Sequence, residues 1–442
     1  MSEPTLNQKA FAGPARAAGN GPLDAGWLRQ LCLAAGADDV GFVEVERPAL
    51  AGERAHLAAA FPRTRSLISV VLRMNRDNVR SPARSVANSE FHHTGDAVDH
   101  VARRITARLE REGIRVMNPP MAFPMEADKW TTERMWVVSH KPVAVAAGLG
   151  HMGIHRNVIH PRFGNFILLG TILVGEEISQ YAQPLDYNPC VECKLCVAAC
   201  PVGAISPEGA FNFSACYTHN YQEFMGGFAN WVETIADSRS GKDYRRRVPE
   251  SETISKWQSL AYGPNYKAAY CMAVCPAGED LIGIYRANKK EHLEEFVKPL
   301  QAKREPIYVI RGSDAETFVK RRHPHKTVRY VRGSLRARSI ANLLRGMALT
   351  FQPGAAKGLE AVYHFTFTGA ETAEATVTIK EGKLRVQPGL TGEPNLRMTA
   401  DAATWLGFLA QEKSLLWALL TRRIRLKGNP KWLRAFGKCF PT

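Results

Sequence analysis

Apolar residues first recur at helical spacing in Asp24–Ala35, where Trp27, Leu28, Leu31 and Ala35 share a face behind Asp24, a side chain able to cap the first turn. Val40–Val45, Ser66–Leu72 and Phe166–Val174 are short, nearly unbroken apolar runs, the pattern of strands covered on both faces. His100–Arg111 predicts a helix between them. This alternation from Leu23 to Leu185 predicts an α/β layer structure. From Asp186 to about Val297 the periodicity is broken by Pro and Gly, and Lys298–Lys326 is a charged connector ending in Arg321-Arg322-His323-Pro324-His325-Lys326. Beyond it, Leu335–Thr350 predicts an amphipathic helix, and Ala361–Thr368, Ala375–Lys380 and Lys383–Gln387 alternate as strands. Ala402–Glu412 and Leu415–Thr421 predict helices, so the end of the chain forms a separate α+β domain. The expected division is a disordered tail over 1–22, an α/β domain over 23–185, a cysteine-bearing domain over 186–300, a basic linker over 301–330 and an α+β domain over 331–442.

A length of 442 residues exceeds what one core usually serves, in keeping with several domains. The formal charge of +16 raises nucleic acid as a partner, but its location argues otherwise. Gln301–Thr442 carries 25 Lys and Arg against 10 Asp and Glu, which leaves 33 against 32 for the rest. Met1–Gly21 has neither a twin arginine nor an apolar core, so no export signal is read there. Phe166–Val174 is roughly half of what a membrane span needs. A cytoplasmic protein with reduced thiols is expected, and clustered cysteines then point to metal rather than disulfide.

The strongest signal is Cys190-x2-Cys193-x2-Cys196-x3-Cys200-Pro201. Three thiolates at this spacing wrap one cubane, and the fourth, followed by Pro, turns to a second cluster. A zinc site would more often show two separated C-x2-C knuckles. A second group comprises Cys216 and Cys271-x3-Cys275-Pro276. By the swapping rule Cys190, Cys193, Cys196 and Cys275 hold one [4Fe–4S] cluster, and Cys200, Cys216 and Cys271 fall to the other. Ala268 stands where a fourth ligand of that second cluster would be. The second centre is then a three-iron cluster, a four-iron cluster with a non-cysteine ligand such as Tyr270 or His219, or an incomplete one. Cys32 and Cys439 read as structural thiols.

Ahead of the cysteines lies Ala146-Ala-Gly-Leu-Gly-His-Met-Gly-Ile-His-Arg-Asn157, then His160-Pro-Arg-Phe-Gly164. Gly148, Gly150 and Gly153 would let backbone approach a large flat or phosphorylated ligand. A nicotinamide fold is not indicated, because the glycines precede the strand and no acidic ribose ligand follows. The order AGLGHMGIHRN, HPRFGNFILLG, CVECKLCVAACPVGAI resembles the epoxyqueuosine reductase and reductive dehalogenase families over roughly Leu23–Tyr285. The resemblance implies an α/β corrinoid-binding-like domain followed by a ferredoxin-like two-cluster module, with the clusters delivering electrons to the cobalt of cobalamin. It implies that Gly148, Leu149, Gly150, Met152, Gly153 and Asn157 line the corrinoid pocket. The family's Asp or Tyr proton donor has no counterpart before the glycines, where the chain reads Val138-Ser-His-Lys-Pro142. His140, Lys141, His151 and His155 are therefore the candidates for proton delivery or anion contact.

Phe351–Gly369, Val377–Gly389, Asp401–Trp405 and Arg423–Gly428 resemble sterol-carrier-protein domains over about Leu335–Phe440. That likeness implies a five-stranded sheet with helices around an apolar tunnel for lipids or other flat hydrophobic molecules. Phe365, Phe367, Trp405, Leu406, Leu409, Leu415, Trp417, Leu419 and Leu420 are available to line it. The basic run Arg422–Lys438 reads as a solvated face, able to attract acidic headgroups or a donor protein. The leading reading is a cytoplasmic, corrinoid-dependent iron–sulfur reductase of a hydrophobic substrate, fed by a ferredoxin or flavodoxin. The alternatives are the same reductase with flavin instead of corrinoid, and a non-catalytic electron-transfer or lipid-binding protein.

Overall fold

The computed structural model describes residues 13–14, 21–126, 134–190, 193–333 and 335–441, so the tail expected over 1–22 lies almost wholly outside the described residues. The chain forms two compact units that interleave in sequence. One is Met1–Ala198 with Tyr270–Lys298, and the other is Ala199–Ala269 with Pro299–Thr442.

In the first unit, helix α1 (Ala25–Ala34) starts on Asp24, whose Oδ1 accepts the Trp27 N–H at 2.6 Å. Strands β1 (Asp39–Glu44), β2 (Ser66–Arg73), β3 (Val116–Met117) and, later, Ile167–Val174 make a four-stranded antiparallel sheet, with Ile167–Val174 between β2 and β3. The predicted helix His100–Arg111 is the second half of a longer one, Arg84–Arg111. The apolar runs are continuous because the sheet is covered on both sides. Val40, Phe42, Ile68, Val70, Ile172 and Val174 pack with Leu28, Leu31, Val98 and Ile105. Val43, Leu67, Val71, Leu169 and Leu173 pack with Leu57, Val143 and Leu149 on the other side. Gly170 is required for this layering, since a Cβ there would sit 2.8 Å from Val98 Cγ1.

In the second unit a five-stranded sheet runs in the order Lys383–Pro388, Ala373–Lys380, Ala361–Thr368, Leu396–Asp401, Ile424–Gly428. Ala361–Thr368 and Leu396–Asp401 pair in parallel and every other pair is antiparallel. Its core holds Tyr363, Phe365, Phe367, Trp405 and Phe436, with helix Ile340–Thr350 packed against it. Of the residues expected along a tunnel, Phe365, Phe367 and Trp405 are buried here, whereas Trp417 and Leu420 are exposed. The stretch expected as a linker over 301–330 is folded. Pro306–Val309 and Thr327–Tyr330 pair in parallel around helix Asp314–Arg322, burying Ile307, Val309 and Val319. The sequence hid this because the buried apolar residues are few and set among charges.

The segment 199–269 of this unit carries helices Phe213–Asn220, Met225–Ala236, Gly241–Arg247 and Glu250–Tyr262. The last is turned inside out. Lys256 and Ser259 are buried, and Ser255, Ser259 and Lys267 converge on the carboxylate of fully buried Glu223, while Ile254, Trp257 and Leu260 face solvent.

Candidate functional site

Cys190, Cys193, Cys196 and Cys275, all in the first unit, line one pocket together with His155, Pro189 and Ile282. Local chemistry explains how the chain arrives there. Asn188 Oδ1 accepts the Cys190 N–H at 3.0 Å, turning the backbone into the first thiol. The short helix Leu195–Ala199 then carries Cys196. Cys275 is held from the opposite side, because the Val274 carbonyl is bonded to buried His292 Nε2 at 3.0 Å and the Glu279 N–H donates to Arg162 O at 3.2 Å. Gly164 has φ +65°, and a Cβ on it would overlap the Ala277 carbonyl. The His160–Gly164 loop is thereby fitted directly against the Cys275 segment.

Burial raises the Cys193 and Cys196 thiols, and it pushes Cys275 up to about 12; neighbouring thiols add to each effect. Cys193, Cys196 and Cys275, so crowded, stay protonated unless cations draw them into thiolates, which bound iron does. Donors for the thiolate form are in place: Leu195 N–H and the Tyr285 phenol at Cys193, and Ala277 N–H at Cys275. Among the described residues no three His, Cys, Asp or Glu side chains close on the position of a single metal ion. The donor set is four thiols around one pocket, and each thiolate of a four-iron cluster binds a different iron. That donor set suits a polynuclear iron–sulfur cluster.

Cys200 and Cys216 lie in the second unit, and Cys271 in the first. Burial raises the Cys200 thiol, opposed by N–H groups of Val202, Gly203, Ala204 and Ile205 that surround the sulfur, Ala204 N at 3.2 Å. Cys216 is half-buried on helix Phe213–Asn220. Ala268 is buried, its N–H donating to Asn220 Oδ1 at 2.9 Å. Of the two residues considered for an open iron, Tyr270 is buried under the Arg84 guanidinium, 5.3 Å from its ring centroid. His219 is buried and its Nδ1 accepts the Tyr308 N–H at 3.3 Å. Neutral His219 then carries its proton on Nε2, the tautomer that does not offer Nε2 to a metal. Burial lowers its pKa to about 3, helped by Lys267 and Lys326.

The glycine segment follows helix His140–Ala146. Gly148, at φ +71°, ends that helix: its N–H donates to Val145 O and the Leu149 N–H to Ala144 O, a Schellman closure. A Cβ on Gly150 would overlap Ile159 O, and one on Gly153 would lie 2.7 Å from His155 Cε1. His151–Met152 and Val158–Ile159 form a hairpin around the turn at 153–157. Each glycine thus meets protein, and none of the three opens a cradle that a side chain would fill. Leu149 is core, while Met152 and Asn157 are half-buried. The glycines give no independent fit to a corrinoid.

The four residues considered for proton delivery separate. His140 is clamped between Thr171 Oγ1 at 2.9 Å and Pro120 O at 3.2 Å, and burial lowers its pKa to about 4. His155 lines the thiol enclosure, and burial, with Lys141 nearby, also lowers it to about 4. Its Nδ1 accepts the Asn157 N–H, so Nε2 bears the proton and faces the Asn165 amide at 3.2 Å. Turning that amide over would give Nε2–H an acceptor in Asn165 Oδ1, which is otherwise unpartnered. Lys141 is exposed, its ammonium bonded to Arg156 O and Asn157 Oδ1, both at 2.8 Å. His151 is half-buried in the hairpin.

Sequence reasoning missed Arg80. It lies 4.0 Å from the Phe296 ring centroid and 5.3 Å from that of Phe166, and its Nη2 reaches Cys275 O at 3.4 Å. The spacing Arg76, Arg80, Arg84 was readable, but nothing adjacent tied it to a cysteine 195 positions away.

Comparison with known proteins adds two family matches: 4Fe-4S binding domain over residues 184–206, and SCP-2 sterol transfer family over 347–441. An epoxyqueuosine reductase from Lactococcus garvieae is 32% identical over 134 residues, 30% of this chain and 30% of that protein. One from Synechococcus is 40% identical over 65 residues, 15% of this chain and 20% of that protein. The chain thus matches less than a third of the length of these relatives. A solved reductive dehalogenase, described as suggesting a mechanism for B12-dependent dehalogenation, is 14% identical with a TM-score of 0.40, covering 66% of this chain and 40% of that one. The chain therefore joins, in one polypeptide, a part similar to epoxyqueuosine reductases, a 4Fe-4S binding domain and a domain of the SCP-2 sterol transfer family.

Proposed function

We propose that the chain is an iron–sulfur reductase that takes electrons from an external ferredoxin or flavodoxin in the cytoplasm and uses them on a hydrophobic organic substrate. The observation carrying the reading is the enclosure shared by Cys190, Cys193, Cys196 and Cys275, with His155 of the glycine segment in its wall. Cysteine spacing in the sequence supports Cys200, Cys216 and Cys271 as ligands of a second centre, with Ala268 leaving it one cysteine short. The likeness to epoxyqueuosine reductases supports a corrinoid as the acceptor, while Gly148, Gly150 and Gly153 serve the chain's own helix end and hairpin. When bound, that group supplies a low-potential, strongly nucleophilic metal. The chain's own contribution is to wire, orient and protonate. His140 and His155, buried and neutral, hold backbone and amide partners in place. Lys141 is the exposed cation able to meet an anionic leaving group or pass on a proton. The SCP-2 domain supports a greasy substrate held by the same chain.

Anaerobic purification with cluster reconstitution, iron analysis, low-temperature EPR and a cobalamin titration tests the proposal. Iron bound at Cys190, Cys193, Cys196 and Cys275, with saturable corrinoid binding, is the expected result. Cluster-replete protein that ignores cobalamin but binds flavin would replace the acceptor. Binding of neither, with no turnover by reduced protein, would leave an electron-transfer or lipid-binding protein.

A further inference from the structure

The short helix Leu415–Leu420 is apolar all round. Ala418 is fully buried, and Leu415 and Leu419 pack on the core of the SCP-2 domain. The remaining three residues point out: Leu416 is 68%, Trp417 48% and Leu420 75% exposed. A helix that has already buried one apolar face gains nothing in water from a second, so the outward face is matched to another apolar medium. Beside it stands a dense positive field. Lys413–Thr442 contains eight Lys and Arg and no Asp or Glu. Arg423 lies 5.5 Å from the Trp417 ring centroid. Strand Ile424–Gly428 follows at the sheet edge with Arg425 and Lys427 exposed, and Lys427 directly opposes Arg397 on the neighbouring strand. Like charges in cross-strand register repel; the exposed Glu393 carboxylate, 3.8 Å from Arg397, relieves this on the Arg397 side, and an anionic partner would do so on the Lys427 side. Among the described residues, Arg422, Arg425 and Lys427 form no ion pair with a carboxylate of the protein.

We infer that Leu416, Trp417 and Leu420, with Arg422, Arg423, Arg425 and Lys427 around them, form a docking surface for an anionic lipid bilayer. The two leucines and the indole enter the boundary between headgroups and acyl chains, and the guanidinium and ammonium groups meet lipid phosphates. A protein partner with an acidic apolar pocket is the competing occupant. The bilayer is favoured because the surface combines an indole at the interface, aliphatic side chains of similar reach and unspecific cations spread along a strand rather than an ordered constellation. The surface brings the carrier domain to where hydrophobic molecules reside, and it goes beyond the reductase reading, since it stands whether or not any corrinoid binds.

The test is sedimentation of the full-length protein with phosphatidylcholine vesicles lacking or containing phosphatidylglycerol. Binding is expected only with the anionic lipid and should weaken as salt is raised. The double variant R422Q/R425Q should lose roughly tenfold or more in affinity, and L416S/L420S should lose a comparable factor. Both pairs are exposed, so folding is checked by circular dichroism and expected to be unchanged. Quenching of Trp417 fluorescence by lipid-borne bromine, lost in W417F, places the indole in the bilayer. Absence of vesicle binding, or binding unaltered by both double variants, overturns the inference. So does a wild-type dimer by light scattering that L416S/L420S converts to monomer, because the face would then cover a second copy.

Discussion

Arg80 shows how a single side chain bears on the cysteine enclosure. Its guanidinium lies between two aromatic rings with Nε buried and unpartnered, yet burial and Arg76 lower its pKa only to about 10, so it remains cationic at neutral pH. A poorly solvated cation near Cys275 favours the reduced, more negative state of a cluster. In reconstituted protein R80M should lower the midpoint potential of that cluster while R80K holds it. A tenfold fall in the reduced fraction corresponds to about 59 mV for one electron, read by EPR-monitored titration at unchanged iron content. Asp39 offers a pH test in the same unit. Burial pulls its carboxyl up, but hydrogen bonds from His160 Nε2, Val40 N–H and Arg29 outweigh that and hold it down to about 2. A depressed carboxyl contributes stability above its unfolded pKa near 3.8, lost as pH falls toward 2. Urea midpoints should therefore drop over that window in the wild type and drop less in D39N.

Elements register the sequence unevenly. Buried strands were legible because each is a short, mostly apolar run, and Ser66–Arg73 is indeed buried on both faces from Ser66 to Leu72. Strand direction was not, since alternation of helix and strand is equally compatible with parallel and antiparallel sheets. The strand–helix–strand at 306–330 was hidden by its own charges: Arg321 and Arg322 sit on a helix that buries Ala315 and Val319 alone. The glycine run was legible as a motif but not in its reason, since helix ending, hairpin turning and ligand approach all ask for glycine. Gly164 exposes that ambiguity to experiment. In G164A the left-handed backbone and the overlap with Ala277 O both oppose the new Cβ. A cost of about 1–3 kcal/mol is expected. Because the displaced partner is the backbone beside Cys275, iron retained per chain should fall more steeply than thermal stability. Equal iron in wild type and variant would separate the loop from the cluster.

At the scale of the molecule, four of the seven clustered cysteines were assigned to one site by the spacing of two distant groups, and those four line one enclosure. What spacing could not give is how the rest of the iron–sulfur region is supported. Segment 199–269 is built into the second unit by specific contacts. Tyr308 N–H meets His219, Phe318 covers Gly203, and Arg336 forks onto Glu233 at 2.5 and 2.7 Å. A linear reading treats everything after residue 300 as an appendage to the ferredoxin-like module; these contacts make it that segment's core. A chain ended after Lys298 should therefore keep the enclosure of Cys190, Cys193, Cys196 and Cys275 while its 199–269 segment loosens. Anaerobic alkylation with mass spectrometry should find Cys200 and Cys216 modified at least tenfold faster than in the full chain, with Cys196 and Cys275 still protected by iron. Equal protection of all seven would mean that segment 199–269 folds without the C-terminal region, and the interleaved packing would be incidental to holding Cys200 and Cys216.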